Sequence, residues 1–248
     1  MNHYTYDLHI HSALSPCGDN EMTPNNIAGF LSLAGIAIGA LTDHNTCANC
    51  PAFFEACKRY GVVPVGGMEL TTAEEIHIVC LFPTLEAALE FDETVKKRRM
   101  KLENRADIFG EQLVFDEEDR VIGNDPWYLP AATDISLMEA PALVKRHGGI
   151  CYPAHIDRPS GGLPAILGGF PPEVQFGCYE LHDHNKKQEY LERFPHLGAL
   201  TQLCCSDAHS LLQIKDGEHT LLLDDEPYSS ALLRISLIKK LAKPQGAL

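Results

Sequence analysis

The sequence predicts an α/β fold, a barrel of alternating strands and helices that carries its chemistry at the mouth. Three observations predict it. Strand-like and helix-like patterns alternate at short pitch; histidines and acidic residues fall in short motifs at or just beyond the ends of apolar runs; and 248 residues with 45% hydrophobic content can bury one large core. Strand, helix, strand repeats of this length point to a parallel sheet or barrel, and such barrels do chemistry at the C-terminal ends of their strands. The DLHIHS motif (7–12) and the SDAHS motif (206–210) lie near opposite ends of the chain, so a shared site requires the two ends to fold together. A single unit over residues 1–248 is therefore expected, not two tandem domains.

Residues 4–11 read as the first strand. Residues 24–34 read as a helix, because Pro24 suits a helix start, and Ile36 to Leu41 is a short apolar run entering TDHNT (42–46). Cys50 to Tyr60 is the next helix, Val62 to Gly66 a strand ending at Gly67-Met68-Glu69, and Ile76 to Phe82 an apolar strand carrying His77. Residues 84–130 break the rhythm and are expected to be an insertion between barrel units. Within them Leu85 to Arg105 reads as a long amphipathic helix, Phe115 to Ile122 as a strand or hairpin, and Asp125 to Tyr128 as a loop. The helix carries a basic run, Lys96, Lys97, Arg98, Arg99 and Lys101, which either steers a polyanion or is a solvated face. Asp134 to His147 resumes a barrel helix that stops at Gly148-Gly149, and Ile150 to Pro153 is the strand leading into His155. Pro159 to Pro172, rich in glycine and proline, is expected to loop over the mouth and shape the substrate pocket.

His9 and His11 are two residues apart, so on a strand both rings share a face with Asp7. Asp207 and His209 repeat that spacing. Neutral imidazole and carboxylate together suit zinc, manganese or iron, which accept mixed nitrogen and oxygen donors. A single H-x-H pair means little, since surface or satisfied core histidines look the same. The recurrence of such motifs at TDHNT, at MEL with EIHIV (68–79) and at PAHID (153–157) points to a metal site, because buried ionisable groups need partners and metals supply them.

Taken in order, HxH, TDH, G-x-E, a strand histidine, AH and a closing SDAH, these motifs resemble the PHP family, the polymerase and histidinol phosphatase metallophosphoesterases. The resemblance runs from Asp7 to about His219. It implies a distorted (β/α)7 barrel whose strand ends hold up to three divalent metal ions. The ligands it implies are His9, His11, Asp19, His44, Glu69, His77, His155, Asp207 and His209, with Glu69 bridging. One stretch departs from the family's usual SDG, reading Ser15-Pro16-Cys17-Gly18-Asp19. Counting back from Pro24 favours Asp19, a hard carboxylate beside the other oxygen donors; counting forward from His11 leaves Cys17 as the alternative.

Other residues extend the candidate site. Asp7 and Asp43 adjoin ligand histidines and are expected to accept the second ring N–H, fixing the tautomer, although Asp43 could instead cap the following segment. Arg158 is a candidate for holding a substrate phosphate with its planar fork, or is a surface arginine. His182 and His184 in ELHDHN are candidate leaving-group acids or substrate contacts, or exposed polar residues. Histidines 3, 147, 196 and 219 have no partner motif and read as ordinary.

The formal net charge of −14 argues against a membrane partner or an extended nucleic-acid surface. Three divalent ions would outweigh Asp19, Glu69 and Asp207, leaving a cationic cavity inside an acidic shell. A small phosphorylated substrate or a short nucleic-acid end fits such a cavity. Paired metals there would bind phosphoryl oxygens, acidify a bridging water so that hydroxide attacks, and stabilise the leaving oxygen. Nine cysteines with no signal peptide and no membrane-length apolar run suggest the reducing cytoplasm. The C-x-x-C pair Cys47 and Cys50 has no second pair beside it and reads as packing. The resulting expectation is a cytoplasmic phosphoesterase acting on a phosphomonoester or a nucleotide or oligonucleotide phosphate ester at a trinuclear site. The alternatives are a histidinol-phosphate phosphatase specifically, an amidohydrolase-type C–N hydrolase, or a noncatalytic metal module.

Overall fold

The computed structural model describes residues 1–226 and 228–243. Strand β1 (Asn2–Asp7) is followed by helix α1 (Pro24–Leu33), which starts where the Thr23 hydroxyl accepts from the Asn26 N–H and Pro24 occupies the first turn. Strand β2 (Ile38–Leu41) is buried throughout, and α2 (Cys50–Tyr60) ends at Gly61, whose φ of 72° is the left-handed turn that favours glycine. Strands β3 (Val63–Thr71) and β4 (His77–Phe82) form an antiparallel pair, and α3 (Leu85–Lys96) follows, capped by Thr84. A one-turn α4 (Ala106–Phe109) and the hairpin of β5 (Leu113–Phe115) and β6 (Val121–Asn124) come next. Then come α5 (Ala140–Arg146), β7 (Ile150–Pro153), α6 (Leu163–Leu167) and β8 (Cys178–Glu180). The chain closes with α7 (Lys187–Arg193), β9 (Thr201–Leu203), β10 (Thr220–Leu223) and α8 (Ser230–Leu241).

Six strands make one curled sheet in the order β10-β1-β2-β3-β4-β7, and β8 and β9 form a separate parallel pair. A bridge from Ile10 to Ala208, with the His11 N–H donating to the Ala208 carbonyl at 3.0 Å, joins the segment after β1 to the segment after β9. Side chains alternate across the sheet as a strand's period of two requires. Ile38, Val63, Val65, Val79, Leu81 and Tyr152 face an inner core that α8 covers with Leu233, Leu237 and Leu241. Leu41, Met68, Leu70, Ile78 and Phe82 face outward onto α1, α2 and α3. The α/β class and barrel-like curl expected are thus present, as a half-barrel sheet with two layers of core.

The strands are not all parallel, however. β1, β2 and β3 run parallel, whereas β4 and β10 run antiparallel to their neighbours. An antiparallel strand begins where its parallel neighbours end, so His77 reaches the mouth from the first residue of β4. Strand β1 stops at Asp7, and β3 runs through Glu69 to Thr71. The helix expected over Leu85 to Arg105 stops at Lys96. Within its last turn Lys96 pairs with Asp92 and Glu93, and beyond it Arg98 pairs with Asp134 and Glu139 and Arg99 with Asp125, so these three cations of the basic run are matched by local acids. The helix expected from Asp134 begins only at Ala140, which puts Pro141 in the first turn, where its missing N–H is not needed.

Helix α3 buries Ala88, Phe91 and Val95 in the outer core, whereas Phe115 and Leu129 are the buried apolar side chains of residues 97–130. All nine cysteines are free thiols. Those of Cys47 and Cys50 donate to the Gly67 carbonyl, tying the start of α2 to β3. Among the described residues no helix is long and apolar enough to cross a membrane.

Candidate metal centre

The centre is built from segments that leave the strands at one end. After β2, the Thr42 N–H donates to the Ile10 carbonyl at 2.8 Å and the Asn45 N–H to the Glu69 carbonyl at 2.9 Å, which lays His44 alongside Glu69. Glu69 and His77 lie on the inner face of the β3–β4 pair, one register step apart. The His77 N–H donates to the Gly161 carbonyl at 2.9 Å, which ties the Pro159–Pro172 segment to the mouth. His155 and Asp207 both have left-handed backbones, with φ of 25° and 49°. Such conformations cost roughly 1–3 kcal/mol each and persist only where the surroundings hold them.

Glu69 is the hub. Its Oε1 is 2.9 Å from His77 Nδ1, 2.9 Å from His155 Nε2 and 3.4 Å from His9 Nε2. Its Oε2 is 3.0 Å from His44 Nδ1 and 3.4 Å from His11 Nε2. Asp207 Oδ1 completes the group, 3.4 Å from His9 Nε2 and 3.3 Å from His11 Nε2, and those two ring nitrogens are 3.2 Å apart. His209 stacks on His11 with ring centroids 4.3 Å apart. His9, His11, Glu69, His155 and Asp207 are all buried.

Burial and mutual charge set the protonation of this cluster. Burial opposes a proton on His9, yet Glu180, Asp207 and Glu69 together raise its pKa well above the ordinary imidazole value. Burial likewise opposes a proton on His11, but Asp207 and Glu69 lift it to about 9. His44 falls to about 4 and His209 to about 3, both through burial first, with the neighbouring His11 adding to it. Burial alone would raise the Glu69 pKa; His77, His9 and His44 hold it well below the usual carboxylate range, and His9 and His11 do the same for Asp207.

The donor set fits divalent metal ions. Three groups of donor atoms lie within 4.8 Å of one another: His9, His11 and Glu69; His11, His44 and His209; and His44, Glu69 and His77. Asp207 Oδ1 and His44 Nδ1 are buried without a hydrogen-bond partner among the described residues. Unpaired buried polar atoms are costly, and both face into the cluster, where an ion would satisfy them. Imidazole with carboxylate is a donor mixture that zinc, manganese and iron accept.

A second layer orients the rings, and it differs from the one expected. Glu180 accepts from His9 Nδ1 at 3.0 Å and from the His155 N–H at 3.2 Å, leaving His9 Nε2 free. Ser15 Oγ donates to Asp43 at 2.8 Å, so its lone pair accepts from His11 Nδ1 at 2.9 Å. His209 Nδ1 donates to the Asp207 carbonyl at 2.8 Å. Asp43 therefore reaches His11 through Ser15 and does not accept from the ring itself. Asp7 does not touch a ring either, accepting instead from the N–H groups of His9 and Ser206. Burial raises the Asp7 pKa to about 6.

Against this geometry the family comparison decides the assignment: the PHP domain family model matches residues 7–125. Over that span, just under half of its length, the chain is similar to the PHP domain. A curated relative, the 5'-3' exoribonuclease of Haemophilus influenzae, is 31% identical over 102 residues, which cover 38% of this chain and 36% of the relative. The chain thus spans well under two thirds of that protein. Among solved structures, the lesion-specific endonuclease PfuEndoQ of Pyrococcus furiosus aligns over 90% of this chain and 53% of its own, with a TM-score of 0.61 at 19% identity. An amidohydrolase of Chromobacterium violaceum with bound sulfate aligns over 89% of this chain and 92% of its own, with a TM-score of 0.57 at 18% identity. At these identities the structural likenesses are likenesses of fold.

The segment matched to the PHP domain contains His9, His11, His44, Glu69 and His77, while His155, Asp207 and His209 come to it from later in the chain. Asp19 is in the PHP domain but outside the donor groups. Its side chain is exposed, and its N–H donates to the His209 carbonyl at 2.8 Å. Cys17, by contrast, lines a cavity of about 740 Å³ together with His44 and His77. Much of the wall of that cavity comes from Tyr128 to Ala132, at and just beyond the end of the expected insertion, and from Pro159 to Ile166 in the expected mouth loop. Arg158 pairs with Asp207, and its other nitrogen is 3.2 Å from the His182 ring. His182 is half-buried, with its pKa lowered by burial and by Arg158. Glu180, fully buried against His9, stands two residues before His182, the spacing of Asp207 and His209, but in ELHDHN the histidines, not this acid, were the candidates.

Proposed function

We propose that this chain is a metal-dependent phosphoester hydrolase acting on a phosphomonoester or on the terminal phosphate ester of a nucleotide or short oligonucleotide. The observation that carries the proposal is the Glu69 carboxylate, with five imidazoles and Asp207 converging on it in a buried cluster. His9, His11, Glu69, His155 and Asp207 would hold one pair of ions, and His44, His77 and His209 would extend the set toward a third. When bound, such ions supply Lewis acidity toward a phosphoryl oxygen and acidify a water at neutral pH.

The chain's own residues supply the rest. Glu180, Ser15 and the Asp207 carbonyl each occupy one nitrogen of a ring and leave the other toward the cluster, so the ring orientations are set before substrate arrives. Arg158 pairs with Asp207 and lies against the His182 ring, and its planar fork would hold a phosphoryl oxygen. The mouth cavity is the size of a small-molecule site, and Tyr128, Pro130, Ala131 and Ile166 give it apolar walls suited to a nucleoside or similar group. The likeness to a protein named an exoribonuclease supports a nucleic-acid end as a substrate. The net charge of −14 favours a short one over a long duplex. The free thiols support a cytoplasmic setting.

The test is phosphate release by chain stripped of metal and reloaded with zinc, manganese or iron. Substrates would be histidinol phosphate, mononucleotides, 3′,5′-bisphosphates and short single strands. Release from at least one class, abolished in His9→Ala, supports the proposal. No release from any class with any metal, or undiminished release in His9→Ala, contradicts it.

A further inference from the structure

Among the described residues, one further group of potential ligands stands apart from the Glu69 cluster. His184, Cys204 and His219 each offer a donor atom, and the three atoms lie within 4.8 Å of one another. They come from three separate segments: the turn after β8, the first residue beyond β9, and the approach to β10. They line a cavity of about 330 Å³ whose walls include none of the six histidines of the main cluster. Two imidazoles with a thiolate form a softer donor set than the nitrogen and oxygen donors around Glu69, and such a set selects zinc among the common divalent ions.

We propose that His184, Cys204 and His219 form a separate zinc site, with its fourth position open to the cavity. Binding replaces the Cys204 proton, which leaves to solvent, with a zinc–sulfur bond, while the two rings donate lone pairs. Surrounding groups suit this. The Gln202 side-chain amide lies 3.0 Å from His184 Nδ1, and its Oε1 is buried without a partner. Turned about, the same amide would accept from His184 Nδ1–H, leaving Nε2 for the ion. Among the described residues Lys215 is the one lysine or arginine in the cavity wall, and Asp7, Asp183, Asp216 and Glu218 outnumber it. An ion here would tie the turn after β8 and the approach to β10 to Cys204, three residues before Asp207, and so brace the segment that delivers Asp207 to the main centre.

Cobalt substitution reads the site directly, because a thiolate bound to cobalt gives a near-ultraviolet charge-transfer band that nitrogen and oxygen donors do not. The reduced chain, stripped of metal and titrated with cobalt, should show this band. It should persist in His9→Ala and in Cys17→Ser, disappear in Cys204→Ser, and weaken in His184→Ala, an exposed position where folding is not at stake. Zinc should quench it. No band in the wild-type chain, a band retained in Cys204→Ser, or one lost in Cys17→Ser would overturn the proposal. Because the His9→Ala arm disables only the main centre, failure here is distinguishable from failure of the hydrolase reading.

Discussion

Glu69 and Glu180 divide the work at the residue scale. Glu69 faces five imidazoles at the centre of the cluster; Glu180 touches His9 Nδ1 and the His155 N–H from behind and would act through them. Glu180→Ala should weaken metal binding by about 10- to 100-fold, as loss of such a supporting carboxylate does, with Glu180→Asp restoring part of it. The check is metal affinity measured by competition with a chelator, alongside the KM and kcat of phosphate release. Equal affinity in Glu180→Ala would remove its positioning role. The ligand histidines were legible because each stands in a short motif with an acid or a second histidine. Glu180 was not: its spacing to His182 matches that of Asp207 to His209, yet its partner is His9, and only β8 lying against β7 brings it behind that ring. The part of Asp43 was half legible: its neighbour His44 drew attention to it, but its contact runs through Ser15 to His11, a tertiary relay that spacing does not reveal.

At the scale of elements, the mouth depends on how closely the segment after β7 approaches β4. Gly161 has a φ of 69°, and a Cβ there would come within 2.7 Å of the His77 ring; Gly35 has a φ of 68° with nothing nearby. Both Gly161→Ala and Gly35→Ala should therefore lose about 1–2 kcal/mol from the left-handed backbone, a few degrees in Tm. Only Gly161→Ala should also displace His77 and lower metal content and turnover. Thermal unfolding and elemental analysis of the two variants check this, and matching metal content in both would contradict it. Most strands and the first two helices were readable from apolar runs and, for α1, from its proline start. The antiparallel sense of β4 was not, because an apolar strand looks alike in either direction. The end of α3 at Lys96 was hidden too: Lys97 to Lys101 continue an acceptable helical pattern, and it is the distant acids Asp125, Asp134 and Glu139 that draw Arg98 and Arg99 away.

For the whole molecule, protons and metal ions compete for one cluster that both ends of the chain must assemble. In the metal-free protein the His11 pKa is raised to about 9, above the ordinary value near 6.5, so its contribution to stability is full below that value and is lost as pH climbs toward 9. His9 shifts in the same direction. Metal-free chain should lose thermal stability from roughly pH 6.5 to 9, while metal affinity rises over the same range because each bound ion must displace these protons. Calorimetric titrations in buffers of different ionisation enthalpy should show protons released on binding near neutral pH, and none released would contradict the linkage. The meeting of the first and last motifs was legible in the sequence as a requirement. How the chain meets it, through the Ile10–Ala208 bridge, was not, since backbone pairing leaves no mark on side-chain pattern.

The most direct test is to reload metal-stripped chain with manganese, which a thiolate site disfavours, and to measure ions bound per chain together with phosphate release, in wild type and Asp207→Ala. The expected result is roughly two to three ions per chain with release restored in the wild type, and both diminished in the variant. Stripped chain that hydrolyses as fast as reloaded chain, or an Asp207→Ala variant with full metal content and full rate, would contradict the central claim.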